Sequence, residues 1–255
     1  MIQALCPVRA LSTPAENIFI LRFACREVSA SVRAGQFVNI KVDDGVEPLL
    51  RRPFSVYRTE GDDVEIVFNV IGKGTAALSR KRPGDWVDVL GPLGLPFTLD
   101  DDRFQTALLL GGGLGVAPLP ISTQAVMRNG KQVVTVLGAR TSRQLVEQHL
   151  LNLHIATDDG SKGFRGNVVE LAKRLLSTTE MPQPKIFACG PTAMLRALRT
   201  FAIAQDIPCE VSLEGPMGCG FGICQGCPVE LVGEERKYGL MCKDGPTFDV
   251  RRINI

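Results

Sequence analysis

The chain has 255 residues, with 29 Lys and Arg against 27 Asp and Glu, a formal net charge of +2 and 22% charged residues. That balance leaves no basic patch or polybasic tail of the kind nucleic acid requires, and no apolar run is long enough to cross a membrane. The length exceeds one ordinary domain, so two domains and a small appended module are expected. The first residues alternate instead of forming an apolar block behind basic ones, so no secretory signal is expected and the chain reads as cytoplasmic. Its 8 cysteines, four of them clustered, fit a reducing compartment.

Residues 1–98 carry short period-two segments: Ile18–Phe23, Gln36–Val42, Pro53–Tyr57, Val64–Val70 and Trp86–Leu90. Short strands between Gly, Pro and Asp turns predict a small antiparallel β-barrel or sandwich, with Thr75–Ser79 as its one helical interruption. Arg51-Arg52-Pro53-Phe54-Ser55 opens a strand, and Gly72-Lys73-Gly74-Thr75 closes a later one. Arg52 and Ser55 suit a phosphate, and Gly74 and Thr75 offer backbone and hydroxyl donors to a second phosphate or a flavin ring. A P-loop is excluded, because Lys73 is followed by Gly and no glycine stands at the upstream position.

From about residue 104 the rhythm changes. Thr106–Gly111 is a continuous apolar run, as a strand buried on both faces should be, followed by a glycine turn and a helical segment to near Gly130. Val133–Gly138, His154–Thr157, Lys185–Cys189 and Cys209–Leu213 read as further strands. Arg143–Leu151, Asn167–Leu176 and Thr192–Gln205 read as helices between them. The alternation predicts a doubly wound α/β parallel sheet over residues 99–210.

Gly111-Gly112-Gly113-Leu114-Gly115 lies where the first of these strands meets its helix. Glycines there allow a tight turn and close backbone approach, and a helix N-terminus favours a pyrophosphate. The spacing is not the strict dinucleotide fingerprint, and no acidic residue ends the second strand, so a ligand-free tight turn stays open. Cys189-Gly190-Pro191 follows a later strand and opens another helix, with Pro191 suited to its first turn. His149, on a predicted helix, and His154, on a strand edge, have no acid or nucleophile at a meaningful spacing and read as structural. Asp158-Asp159-Gly160-Ser161 suits a polar ligand as well as a simple turn, and Asx-turn chemistry favours the turn. Cys6, Cys25 and Cys209 read as small buried hydrophobes.

Residues 211–255 hold little periodicity and four cysteines, Cys219, Cys224, Cys227 and Cys242, spaced C-x4-C-x2-C with the fourth after fourteen residues. This is the plant-type [2Fe–2S] spacing. Gly220, Gly222 and Gly226 let backbone N–H groups approach cluster sulfurs. Structural zinc also takes four thiolates, but zinc ribbons set two C-x2-C knuckles apart, so the spacing favours iron–sulfur. A disulfide framework fits neither the length nor the compartment.

In order, Arg52-Pro53-Phe54-Ser55, Gly72-Lys73-Gly74-Thr75, Gly111–Pro118, Cys189-Gly190-Pro191 and the four cysteines resemble the ferredoxin–NADP reductase superfamily. Within it they most resemble the electron transfer subunits of NAD-dependent (type B) dihydroorotate dehydrogenases. The resemblance implies an FAD-binding barrel, an NAD-binding domain and a C-terminal [2Fe–2S] module. It assigns Arg52, Pro53, Phe54 and Ser55 to FAD, with Val67, Phe68, Asn69, Gly74 and Thr75 as the other flavin-contacting positions. Cys219 stands where related NADH-dependent ferredoxin–NADP reductase subunits carry aspartate, which favours the dihydroorotate type. Gly239-Leu240-Met241-Cys242 lacks the basic residue usual before the last ligand, a departure in the loop that should face the acceptor protein.

What the resemblance implies functionally is an electron converter: a hydride is exchanged between NAD(H) and FAD, a step that requires no side-chain acid or base, and single electrons are exchanged between FAD and the cluster. The substrate's (β/α)8 barrel, of about 250 residues, has no room in this chain. An FMN-containing catalytic subunit is therefore the expected partner, in a heterotetramer of two chains of each kind, serving pyrimidine biosynthesis. A reductase subunit feeding another oxidoreductase, ferredoxin-reductase-like or sulfide-dehydrogenase-like, carries the same motifs. A zinc-bearing interaction module without redox chemistry is the alternative of another class. Arg140 and Arg143 leave NAD against NADP open.

Overall fold

A computed structural model describes residues 1–42, 45 and 48–255. Six strands, β1 (Ile2–Ala15), β2 (Ile18–Ala24), β3 (Phe37–Lys41), β4 (Arg52–Glu60), β5 (Asp63–Asn69) and β6 (Trp86–Leu93), close into an antiparallel barrel in the order β1-β2-β5-β4-β3-β6. Alternate side chains of these strands fill its interior, among them Leu21, Phe23, Val38, Ile40, Val64 and Ile66. Two short helices, α1 (Arg26–Ser31) and α2 (Lys73–Leu78), interrupt it.

The strand β1 has no counterpart among the predicted segments, although it closes the barrel. Its first half pairs with β6, from Ile2 opposite Gly91 to Pro7 opposite Trp86, and its second half pairs with β2. Pro7 sits where β1 changes partner, and Pro14 lies in an irregularity of the β1–β2 register. Prolines are tolerated at such positions, but they hide the strand from a reading that treats proline as a breaker. The helix α1 was likewise not expected.

The second layer is a seven-stranded sheet in the order β10-β9-β8-β7-β11-β12-β15. It comprises β7 (Thr106–Gly112), β8 (Gln132–Ala139), β9 (Leu153–Thr157), β10 (Phe164–Arg165), β11 (Pro184–Cys189), β12 (Cys209–Ser212) and, after β13 (Pro228–Leu231) and β14 (Tyr238–Leu240), β15 (Thr247–Asp249). All neighbours are parallel except β12 and β15. Three helices cover it: α3 (Leu119–Arg128), α4 (Val168–Thr178) and α5 (Thr192–Ala204). The two-sided burial predicted for Thr106–Gly111 is visible residue by residue. Leu109 and Phe187 face α3 and the barrel core, whereas Leu108, Leu110, Ile186 and Ala188 face α4 and α5. Each fully buried leucine contributes about 1.5–3 kcal/mol, which makes this sheet the rigid body on which the loops sit.

Two differences from the sequence reading matter for the site. The predicted helix over Arg143–Leu151 is absent; a single 3-10 turn at Ser142–Gln144 gives way to an irregular segment in which His149 has φ 63. Leu145 and Val146 bury against Ile18, Tyr57 and Val67 of the barrel. The segment's carbonyls are also taken by the barrel: Arg143 O accepts from Glu16 N at 2.9 Å and Gln148 O from the Tyr57 hydroxyl at 3.1 Å. Contacts with another domain thus satisfy the apolar spacing that suggested a helix, and His149 is not helical. The C-terminal segment, moreover, is not detached. It forms a three-stranded sheet, β14-β13-β16, with β16 at Ile253–Asn254 and the short helix α6 (Met241–Asp244), yet its β15 is the edge strand of the large sheet. Among the described residues no helix is long and apolar enough to cross a membrane.

Candidate functional site

The first cavity, about 340 Å³, lies between the barrel and the sheet. The barrel contributes Arg52, Pro53, Phe54 and Ser55 from β4, Val67, Phe68 and Asn69 from β5, and Thr75 from α2. These are predicted flavin positions, and the adjacency of β4 and β5 in the barrel brings the two strand ends to one side. Phe68 stacks on Phe19 with centroids 5.6 Å apart and meets Phe54 at 5.9 Å, so one wall is a fixed aromatic cluster. Gly74 does not line the cavity; a Cβ there would come within 3.2 Å of Arg52 Nε, so the glycine makes room for the arginine. Arg51 is committed elsewhere, pairing with Asp88 at 2.7 Å. The far wall comes from Leu114 and Ala117 after β7 and from Leu213, Glu214, Gly215 and Met217 after β12.

The second cavity, about 310 Å³, opens at the C-terminal ends of the parallel strands, where such sheets bind ligands. Gly112, Gly113 and Pro191 line it. Gly113 has φ 57, and a Cβ there would meet nothing. Gly111 and Gly115 serve packing instead. A Cβ on Gly111 would sit 2.8 Å from Leu119 Cδ1, and one on Gly115 would sit 2.0 Å from the Cys189 carbonyl oxygen. The two glycine turns are thus pressed against each other. Gly190 lines a third cavity of about 420 Å³ with Pro191, Leu213 and Glu214. Cys189 is buried, with its Sγ 3.7 Å from Glu214 Oε1. Burial and the Glu214 charge push its thiol well up, and burial likewise raises the Glu214 carboxyl.

Glu214 is therefore shared by the first and third cavities, and sequence reasoning missed it. The available signal was its place between the end of a buried strand and the cysteine loop.

The four cysteines come together as two pairs. The Cys224 N–H donates to Cys219 Sγ at 3.5 Å. Cys227 Sγ and Cys242 Sγ are 3.2 Å apart, and the Cys242 N–H donates to Cys227 Sγ at 3.5 Å. Among the described residues no group of three or more His, Cys, Asp or Glu is disposed to hold a single metal ion. A mononuclear zinc site needs four converging thiolates, whereas each iron of a [2Fe–2S] centre takes only two, so paired sulfurs suit the binuclear group. Gly220 and Gly222, with φ 84 and 90, turn the loop's N–H groups inward. Burial raises the Cys219 thiol, but the N–H groups of Cys224, Phe221 and Ile223 outweigh it and bring the thiol down to about 6. This favours the thiolate that a metal binds. Burial and the Cys227 sulfur push Cys242 up to about 12. Cys6, Cys25 and Cys209 are buried, as expected.

The cysteine loop and the first cavity are contiguous. Gly215 and Met217 line that cavity just before Cys219, and Asn39 of β3 donates from Nδ2 to the Cys219 carbonyl at 2.8 Å. A Cβ on Gly220 would fall 2.4 Å from that nitrogen, so only glycine allows the approach.

Residues 214–254 match the family model described as the iron-sulfur cluster binding domain of dihydroorotate dehydrogenase B. The chain is 39% identical over 244 residues to the dihydroorotate dehydrogenase B (NAD(+)) electron transfer subunit of Geobacillus kaustophilus, covering 92% of this chain and 91% of that protein. It is 37% identical to the subunit of the same name from Desulforamulus reducens, covering 94% of each. Among solved structures, a chain of the NADH-dependent reduced ferredoxin-NADP oxidoreductase superposes with a TM-score of 0.86 at 32% identity, over 98% of this chain and 90% of that one. The ferredoxin reductase of carbazole 1,9a-dioxygenase shares the fold, with a TM-score of 0.65 at 18% identity over 81% of this chain and 67% of that one. With relatives this similar along nearly its whole length, the chain belongs to the family of dihydroorotate dehydrogenase B electron transfer subunits.

Proposed function

We propose that the chain binds FAD in the first cavity, NAD(H) in the second and a [2Fe–2S] cluster on Cys219, Cys224, Cys227 and Cys242, and passes electrons among them. The supporting observation is contiguity: the cavity that gathers the flavin positions is bounded by the residues that lead into the cysteine loop. When bound, FAD exchanges a hydride with NAD(H) and single electrons with the cluster. The chain's own residues position and shield. Arg52 and Ser55 take the flavin's phosphates and ring edge, Pro53, Phe54, Val67, Phe68 and Asn69 form the wall, Thr75 closes the end of the cavity, and Gly74 leaves the room that the Arg52 side chain occupies. Gly112 and Gly113 admit the pyrophosphate of the nucleotide. Gly111 and Gly115 hold that turn against Cys189 and Gly190, and Pro191 borders it. The hydride step itself requires no side-chain acid or base, and the proton that accompanies single-electron reduction of the flavin comes from solvent. We divide the chain into a barrel domain over 1–98, a nucleotide domain over 99–210 and a cluster module over 211–255.

The partner in this reading is the FMN-containing catalytic subunit of dihydroorotate dehydrogenase, two chains of each kind forming a cytoplasmic heterotetramer that delivers electrons to NAD⁺ in pyrimidine biosynthesis. A second reading, delivery of NAD(P)H electrons to a different oxidoreductase, is favoured by one observation: the 0.86 TM-score against an NADH-dependent ferredoxin-NADP oxidoreductase chain. The test is to purify the chain with whatever accompanies it from its source, identify the companion, and assay iron, acid-labile sulfide and flavin. A flavin and iron–sulfur absorption that bleaches on adding NADH, together with a dihydroorotate-oxidising companion, is the expected result. An unrelated companion transfers the chain to the second reading, and a colourless zinc protein ends both.

A further inference from the structure

The second cavity carries two charged side chains that no motif accounts for. Arg140 follows β8, Asp158 follows β9, and both line the cavity and are exposed. Among the described residues, neither the guanidinium nor the carboxylate makes an ion pair or a side-chain hydrogen bond, with the other or with anything else. Their neighbours, by contrast, are committed. Asp159 accepts from Ser161 N at 2.9 Å, Ser161 Oγ accepts from Ser142 N at 2.8 Å, and Asn167 and Glu170 form the capping box of α4. The backbones that carry the two charges are tied together: Asp158 N donates to Ala139 O and Asp159 N to Arg140 O, each at 3.2 Å. Two unpaired opposite charges are thus held on a rigid frame at one end of a ligand cavity.

The sheet order says which end of a dinucleotide meets them. From one edge the strands run β10-β9-β8-β7-β11-β12. The flavin-type cavity borders Leu114 and Ala117 after β7 and Leu213 and Glu214 after β12. A nicotinamide must face that side to exchange a hydride. With the pyrophosphate at Gly112 and Gly113, the other half of the molecule runs over β8 and β9 and ends at Arg140 and Asp158. The group arriving there is the adenosine ribose, whose 2′ position is a hydroxyl in NAD and a phosphate in NADP.

We propose that Asp158 determines nucleotide specificity by accepting the ribose hydroxyls and repelling a 2′-phosphate, and that Arg140 is a latent phosphate ligand that Asp158 holds in check. The inference rests on the NAD(H) reading of this cavity. A carboxylate has only acceptors and matches the hydroxyl pair, whereas a phosphate brings a second negative charge into the same enclosure. A guanidinium matches phosphate geometry with paired donors. The sequence supplied both residues but not their meeting, because the acidic residue follows the third strand of the domain and not the second, where such a residue is ordinarily sought.

The test uses the holoprotein with its partner, in wild-type, Asp158→Asn and Asp158→Asn/Arg140→Gln forms. Calorimetric titration with adenosine 5′-monophosphate and with adenosine 2′,5′-bisphosphate reads the ribose end without any redox step. The ratio of kcat/KM for NADH and NADPH with ferricyanide as acceptor provides the second readout. Wild type should prefer the monophosphate by about tenfold or more. Asp158→Asn should shift the ratio toward the bisphosphate, and toward NADPH, by about tenfold, and adding Arg140→Gln should remove that gain. An unchanged ratio with both nucleotides still binding overturns the specificity role alone. A wild type that prefers the bisphosphate overturns it as well. Failure of either nucleotide to bind any form overturns the NAD(H) reading and this inference with it.

Discussion

The side-chain amide of Asn39 donates to the main-chain carbonyl of Cys219 at 2.8 Å, joining residues 180 positions apart. Asn39 is fully buried on β3 and lies opposite Pro53 of the flavin-type cavity, so one side chain links the barrel wall to the cysteine loop. Its Oδ1 has no partner among the described residues. An amide with one half unsatisfied is costly to bury, which implies that its other half does something a hydrophobic residue cannot. Asn39→Leu should cost about 1–3 kcal/mol and detach the loop. Release of iron to a chelator should accelerate while flavin content stays at the wild-type level. Equal release rates in the two proteins would show that the bond does not hold the loop.

Gly115 and Gly113 stand two residues apart but should respond differently to alanine. The Gly115 methyl would land 2.0 Å from the Cys189 carbonyl oxygen, a backbone atom that cannot step aside. That variant should lose roughly 1–3 kcal/mol or more, with NADH binding lost as the two turns separate. The Gly113 methyl meets nothing, and the cost is that of a non-glycine residue at φ 57, about 1–2 kcal/mol. Thermal melting and NADH titration of the two variants measure the difference, and equal losses would refute the packing role assigned to Gly115.

Lys185 is buried beneath the sheet, with Nζ 2.8 Å from Glu210 Oε1, 3.5 Å from Asp101 Oδ2 and 2.7 Å from Thr98 Oγ1. It ties the linker between the two domains to β11 and β12. Removing one member of such a group strands the others, so Lys185→Met should destabilise by about 3–5 kcal/mol. Denaturant unfolding checks this, and a loss under about 1 kcal/mol would mean that the network is solvated in solution.

The same group predicts a direction for acid sensitivity. The Arg103 side chain, aided by its N–H and by Lys185, holds the Asp101 carboxyl well below its ordinary 3.8, against an opposing effect of burial. A depressed folded-state value gives stability that is fully present above the unfolded value, begins to fall there, and is lost as pH falls on through the folded-state value. Stability should therefore drop as pH falls below about 4, and Asp101→Asn should flatten that dependence while leaving its own deficit at neutral pH. Parallel acid profiles of the two proteins would dismiss Asp101 as a contributor.

Substitution among the cysteines should divide them cleanly. Serine at Cys219, Cys224, Cys227 or Cys242 should abolish the iron–sulfur absorption, because one of the two irons then lacks one of its two protein thiolates. Alanine at Cys6 or Cys209, buried in the barrel and the sheet, should leave iron content unchanged and cost only packing. Iron and sulfide analysis distinguishes the two groups, and iron loss in Cys6→Ala would undo the ligand assignment.

Where local chemistry dictates the outcome, the residues alone were sufficient. Alternating apolar positions marked five of the six barrel strands, an unbroken apolar run marked β7, and cysteine spacing marked the loop. Each is a short-range pattern imposed by strand pleat, by burial on two faces or by ligand reach. Tertiary structure decided what depends on pairing across long stretches of chain. It closed the barrel with β1 despite its prolines and replaced the Arg143–Leu151 helix with a segment packed on Tyr57. It returned β15 to the sheet edge, sorted four sulfurs into two pairs, and brought Asp158 beside Arg140. A periodicity records which face of an element is buried but not against what, and that second fact emerges only when distant strands take their register.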